Sequence, residues 1–319
     1  AILPPHLSFA WRHRSFGSSA NNHLLGELTG CIVATVRWPA LAKWSASLDV
    51  LQRLWEREVL AQFAEDGGNK EQALNYQLFS WELCWQARLA LLASGRTVSR
   101  SVEDRLSHAA GFEVDVRSEN ETWDYGDSDN AYVTPFFLGE ATMTSEWHQW
   151  MENKIGSPAF DYWLAKPPRA QINAELVDGT PSERCFPCAG IANYRGFFWT
   201  LRWDLSPLGY LGTAAHGHLD ALHLSIWFKN VAFVVDPGTG AYYAEPGLRT
   251  WLASRAAHNA PCPAGKERPR RLGPFLWAEN HRAPTVSQEG NRTIGVLSLP
   301  GQQLRRAIEP LPDGSGWWV

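Results

Sequence analysis

What the 319-residue chain lacks narrows its function before any motif is considered. Basic residues are not in excess: 29 Lys and Arg stand against 33 Asp and Glu, a formal charge of −4, so nothing marks a protein that grips nucleic acid through its phosphates. No apolar run reaches the roughly 18 residues that a membrane-spanning helix needs. The five cysteines, Cys31, Cys84, Cys185, Cys188 and Cys262, are an odd number. Only Cys185-Phe-Pro-Cys188 is closely spaced, which argues against a zinc ribbon and against a disulfide framework. Cys31 and Cys84 fall in apolar helical runs and read as small core residues. The first residues, Ala1-Ile-Leu-Pro-Pro, have neither the charged start nor the apolar segment of a signal peptide.

The length suits about two domains, and the residue pattern changes from helical to β midway. Leu25, Leu28, Ile32 and Val36 recur at helical spacing behind Asn21 and Asn22, which are capping candidates. His23, Glu27, Gly30 and Ala34 form the other face of that helix, polar to small, which suits a cavity wall. Leu41, Trp44, Leu48, Leu51, Trp55, Val59 and Phe63 predict one long amphipathic helix ending near Asp66-Gly67-Gly68. Asn69 and Gln72 have capping-box spacing before the next helix, whose stripe is Leu74, Leu78, Trp81, Trp85, Leu89 and Leu92. Tyr76 falls about 200° from Leu74 around that helix and points off the stripe. Most of the seventeen tryptophans sit on such stripes and read as core, although aromatic faces also stack on sugar rings. Tyr125-Gly-Asp-Ser-Asp-Asn-Ala131 is too polar for a helix interior and reads as a loop, with Asp127 and Asp129 bracing turns. One or two short helices are expected between Trp147 and Trp163. Beyond about Pro167 the pattern is β: Gly196–Trp203, then a hairpin, then Phe275–Trp277 and Ile294–Leu297. The expected domains are 1–167 and 168–319.

The stretch Thr213–Tyr243 carries the chemistry. Read as a strand, it places His216, His218 and Asp220 on one face, continued by Leu222, Leu224, Ile226 and Phe228. Lys229-Asn230 then breaks to Val231–Val235 and Asp236, as in a β-hairpin. Imidazole nitrogen and carboxylate oxygen are common ligands of a zinc-like ion, so His218, Asp236 and a third donor such as His258 make a candidate site. A two-residue turn at Lys229-Asn230 would pair Asp236 with His223, opposite to His218. A shared metal therefore requires a bulge or a three-residue loop around Lys229 to Val231.

His216-Gly-His-Leu-Asp-Ala-Leu-His-Leu224 and the run through Asp236-Pro-Gly-Thr-Gly-Ala-Tyr-Tyr243, followed by the segment around His258, resemble the heparinase II/III-like polysaccharide lyases. Asn21–Glu27, Gly67–Phe79 and Tyr125–Phe136 are similar to the helical part of the same family. The resemblance implies a partial α/α toroid followed by an antiparallel β-sandwich. It also implies a fragment, since the first family motif begins only at Asn21 and the chain stops at Val319 in apparent mid-strand. The implied activity is β-elimination on an anionic, uronate-containing polysaccharide, in a periplasmic or secreted setting. By resemblance Asn22 and His23 neutralise the uronate carboxylate, Tyr76 is the acid and a candidate for the base as well, and His216 is the second proton-transfer group. Tyr242 is a further, weaker candidate, with its neighbour Tyr243. His218, Asp236 and His258 would hold a structural zinc, with Asp220 and Asn259 behind them. Arg195, Arg202, Arg249 and Arg255 are candidates for a basic groove. No bound nucleic acid is expected, and no oligomeric state is indicated. One rival reading is a toroid glycoside hydrolase using carboxylates among Glu27, Glu71, Asp127 and Asp129. Another is a non-catalytic glycan-binding relative, which should have lost part of the Asn22, His23, Tyr76, His216 set that this chain retains.

Overall fold

The computed structural model describes residues 2–116, 124–129, 131–134, 147, 149–151, 164–165, 182–196, 198–263, 268–313 and 315–319. The chain forms two compact units. The first takes Ala1–Asn69, Tyr76–Asp115 and Asn130–Ile172, and the second takes Lys70–Asn75, Val116–Asp129 and Asn173–Val319. The expected boundary at 167/168 lies outside the described residues, as does most of the stretch from Trp147 to Trp163, of which Trp147 and 149–151 are helical.

The first unit is helical: α1 (Leu3–Arg12), α2 (Asn22–Arg37), α3 (Leu48–Gln62), α4 (Leu74–Ala93) and α5 (Arg100–Val116). Asn21 caps α2, its side chain accepting from the His23 amide, which satisfies one of the orphan donors of the first turn. The helix expected from Leu41 to Phe63 is broken: a 3₁₀ turn covers Pro39–Trp44, and Ser47 takes an extended conformation as the N-cap of α3. The capping box expected at Asn69 does not form either. Gln72 has φ 58°, and the Asn69 amide donates instead to the buried side chain of Gln77. The heptad-like stripes meet in a core built on Leu25, Ile32, Trp55, Val59, Trp81 and Leu106. There Trp81 stacks on Trp85 at 5.1 Å and meets Trp147 and Trp150 edge-on. The Trp81 indole N–H donates to the Leu106 carbonyl, so this buried ring leaves no polar group unpaired. Gly67, at φ 102°, lies so close to the His108 carbonyl that a Cβ would come within 2.2 Å of it.

The second unit has a five-stranded antiparallel meander: β1 (Ser182–Phe186), β2 (Ile191–Arg195), β3 (Trp199–Asp204), β4 (Leu224–Phe228) and β5 (Val231–Val234). A helix, α6 (Pro246–Leu252), and a small hairpin, β6 (Arg271–Gly273) with β7 (Leu276–Trp277), follow. A four-stranded sheet in the order β11-β10-β9-β8 completes it, from β8 (Thr285–Glu289), β9 (Arg292–Leu299), β10 (Gln302–Pro310) and β11 (Trp317–Trp318). Leu201, Trp203, Leu222 and Leu224 of the first sheet and its approach pack on Leu297, Leu299, Leu304 and Ile308 of the second, the core of an antiparallel sandwich. Gly295 of β9 permits that contact, since a Cβ would come within 2.8 Å of both Leu222 and Trp203. β5 is the edge of the five-stranded sheet, and Val231 and Phe233 face solvent on it. The fold class is therefore a helical, toroid-type part followed by an antiparallel β-sandwich.

Candidate metal and proton-transfer site

The strand expected from His216 onwards begins only at Leu224; His216–His223 is a loop. Its backbone bonds explain why. Leu222, at φ 75°, donates to Asp204, which in turn takes the His223 carbonyl; Leu219 donates to Ala253, and His223 closes a turn on Asp220. The alternation of polar residues thus belongs to a loop pinned at several points, and His216, His218 and Asp220 need not share a sheet face. The β4–β5 turn is the two-residue one, with Lys229 and Asn230 at φ 48° and 61°, as a type I′ hairpin requires. The required bulge lies elsewhere: Trp227 pairs with Ala232 but Ile226 with Val234, so one extra residue is absorbed opposite Ile226 and Trp227.

One ligand atom each from His218, Asp236 and His258 lies within 4.8 Å of the other two, and all three residues are buried. Bonds of about 2.0–2.1 Å in a tetrahedral shell would set such atoms about 3.4 Å apart, so small side-chain rotations suffice. The hydrogen bonds around the triad turn lone pairs inward. His258 Nδ1 lies 2.8 Å from the Ser254 carbonyl, which can only accept, so this nitrogen carries the proton. Its Nε2 then faces Asp236 Oδ2 at 3.2 Å, acceptor against acceptor unless a proton or a cation stands between them. His218 Nε2 lies 3.1 Å from Asp127 Oδ1, which leaves the buried Nδ1 without a hydrogen-bond partner. These residues fit a zinc-like ion.

The surrounding charge points the same way. Asp204, Asp220 and Asp236 are all buried in this region together with His218, His223 and His258. Burial pushes the Asp204 carboxyl up to about 6 and the Asp220 carboxyl well above its ordinary value, each reinforced by neighbouring carboxylates. Burial also lowers His223 to about 4. Asp236 is lowered to about 2 and His258 raised to about 9, because their mutual attraction outweighs the burial that disfavours both charges. Asn259 does different work from a ligand: its side-chain amide both accepts from and donates to the backbone of Leu224, fixing the start of β4.

The other candidates are distributed over the two units. In the first, Asn22 is buried at the start of α2, His23 is exposed beside it, and Glu27 is held by the amide and hydroxyl of Ser15. Tyr76 is buried near the start of α4, edge-on to Phe79 at 6.2 Å. In the second, His216 is buried with Nε2 at 3.6 Å from Glu71 Oε2, and its ring meets Phe275 at 5.6 Å. Tyr242 is half-buried against the same Phe275 at 5.3 Å, whereas Tyr243 is 75% exposed. Arg202, Arg249 and Arg255 are buried and cannot line a surface groove; Arg195 is half-buried. Sequence reasoning gave Glu71, Asp127 and Phe275 no part in this cluster. No spacing rule ties position 71 or 127 to the loop at 216–218; both stood out only as members of motifs in the helical half, as carboxylates of the rival hydrolase reading and, for Asp127, as a turn brace.

Comparison with known proteins bears on the fold. Residues 179–319 match the family profile described as "Heparinase II/III-like, C-terminal". Among solved structures, a heparinase III gene product is similar at 18% identity with a TM-score of 0.63, covering 96% of this chain and 45% of its own. Another heparinase III aligns at 15% and 0.62, over 95% of this chain and 47% of its own. A mutant heparan sulfate lyase from Pedobacter heparinus aligns at 15% and 0.57, over 95% and 45%. The chain thus spans less than half the length of these structures. No curated protein sequence matches it.

Proposed function

We propose that this chain, whose residues 179–319 match the heparinase II/III-like C-terminal profile, carries the site of a polysaccharide lyase that cleaves a uronate-containing polysaccharide by β-elimination. The observation that carries the reading is the buried His216–Glu71 pair, two residues before a metal-type histidine in that fold. A carboxylate beside an imidazole orients the ring, which is what proton transfer asks of His216.

The reaction removes the proton at C5 of the uronate. The freed electron pair forms the C4–C5 double bond, the C4–O bond breaks, and the departing oxygen takes up a proton. The C5 proton is hard to remove while the neighbouring carboxylate is fully charged, so donors to that carboxylate must take up the developing charge. Asn22 and His23 have this role. Tyr76 protonates the leaving oxygen and also suits the abstraction, with His216 as the second proton carrier and Tyr242 a weaker alternative. A zinc held by His218, Asp236 and His258 would supply a fixed charge that neutralises the buried carboxylates and holds the loop presenting His216. The substrate class, an anionic polysaccharide, places the protein in the periplasm or outside the cell. Among the described residues no helix is long and apolar enough to cross a membrane.

Incubation with a panel of uronate polysaccharides tests the proposal. A lyase leaves an unsaturated uronide that absorbs in the near ultraviolet; new reducing ends without that absorbance would mean hydrolysis instead. Tyr76→Phe should lower turnover by about 10²–10⁴ with folding and substrate binding retained, because only the phenolic proton is lost. Wild-type turnover in that variant would remove Tyr76 from the mechanism.

A further inference from the structure

The segment Gly126–Ser128 bonds to several parts of the second unit's site. The Asp127 amide donates to the His216 carbonyl at 2.9 Å. Its Oδ1 meets His218 Nε2 at 3.1 Å and Arg249 Nε at 3.3 Å, and its Oδ2 accepts from Arg249 Nη2. Arg249, itself 3% exposed, donates from Nη1 to the Tyr242 carbonyl at 3.1 Å. The guanidinium also lies over the rings of Phe275, at 3.8 Å, and Tyr242, at 4.9 Å. On either side of Asp127, the carbonyls of Gly126 and Ser128 accept from the Thr239 hydroxyl, in the loop that follows Asp236. The segment is wedged in place: Gly126 has φ 64°, and a Cβ there would come within 1.9 Å of the Gln72 carbonyl.

We propose that Asp127 is a positioning residue that joins the metal cluster to the proton-transfer groups of the same unit. Its carboxylate fixes His218 as the Nε2–H tautomer and so directs Nδ1 to the ion, while its backbone and Arg249 set His216 and Tyr242. The roles of the last two rest on the lyase reading; the tautomer does not. A carboxylate buried beside two donors is acceptor-only, so the proton between it and His218 belongs to the imidazole. An imidazole protonated at Nε2 can bind a metal only through Nδ1, the nitrogen that otherwise has no hydrogen-bond partner. Arg249 completes the arrangement by balancing the Asp127 charge, which keeps that carboxylate from competing as a ligand.

The test uses the whole chain and does not depend on turnover. In the metal-free wild type, nitrogen-15 NMR of the histidine rings should show His218 protonated at Nε2 only, its signal identified by its loss in His218→Gln. Asp127→Ala should lose that single tautomer, and zinc affinity measured by chelator competition should fall about 10- to 100-fold. Asp127→Asn keeps an oxygen that accepts from Nε2–H, so it should retain the tautomer and lose less affinity; it carries the test if the alanine variant does not fold. An Nδ1–H tautomer in the wild type, or variants that change neither tautomer nor zinc affinity, would overturn the proposal. A wild type that shows the Nε2–H tautomer but binds no zinc would overturn it as well, since Nδ1 would then be directed to no ion. With substrate, Asp127→Asn should lower kcat with little change in KM; loss of the lyase reading alone would leave the tautomer result intact.

Discussion

The two units bury very different interiors. The first closes over tryptophans and leucines, with Gln77 donating to the carbonyls of Gly67 and Ala109 inside it. The second has an ordinary sandwich core and, apart from it, a region where three carboxylates and three imidazoles are buried together. Burial stabilises the first directly, in proportion to apolar area. In the second, burial is unfavourable until charges are matched, because like carboxylates in a poorly solvated region repel and each loses hydration. One part of this molecule is thus stabilised by apolar burial, whereas the other buries charges that a bound cation would balance.

Loss of packing and loss of the ion should therefore be separable. Trp81→Ala removes the ring at the centre of the tryptophan cluster, and a buried Trp-to-Ala change costs about 3–5 kcal/mol. Denaturant unfolding should report that loss with zinc content unchanged, and a chelator should destabilise the variant as much as it does the wild type. His218→Ala should abolish bound zinc, removing about 4 kcal/mol when free zinc exceeds Kd a thousandfold. His216→Ala should retain the metal and lose activity. A chelator that left the wild-type melt unmoved would break the comparison, since the buried carboxylates would then be balanced without an ion.

A buried carboxyl of the helical unit sharpens the contrast. Glu82 on α4 accepts from Gln86 at 3.0 Å, yet burial outweighs the hydrogen bonds and raises its carboxyl from 4.5 to about 7. Between those values the folded chain holds a proton that the unfolded chain has released. This group's stabilisation is complete below about pH 4.5, is lost as pH rises towards 7, and amounts to about 3 kcal/mol at most. Glu82→Gln should flatten that part of the stability profile and raise stability at pH 8; a profile identical to wild type would mean that Glu82 is ionised in the fold.

The helical unit was legible wherever its apolar residues repeat, since Leu25, Ile32 and Trp81 need only their neighbours' spacing to be placed inside. Capping was harder, because Asn69 and Gln72 obey a local rule that Gln77 overrides from eight residues away. The meeting of His218, Asp236 and His258 was expected from resemblance and donor chemistry, and a bulge from the strand register. Its position was not, because the two-residue turn satisfies the local preference of Lys229-Asn230 and the extra residue is absorbed at Phe233, where pairing with β4 decides. The strand reading of His216–Asp220 failed for the same reason. Period-two polarity is a local signal, and the bonds that make this segment a loop come from Asp204, Ala253 and Asp127. Asp127 shows the limit most clearly: nothing around position 127 announces a partner at 218 or 249.

The open side of β5 carries a practical consequence for solubility. Val231 and Phe233 are 66% and 73% exposed on the last strand of the sheet, beside backbone groups with no further strand to pair with among the described residues. Such a border is a template for another extended segment, and Lys229, folded over the rings of Phe198 and Phe228, is the nearest charge that interrupts it. Concentrated samples should self-associate through this border, and Phe233→Lys should suppress that in light scattering by about half or more while zinc content and turnover stay at wild-type levels.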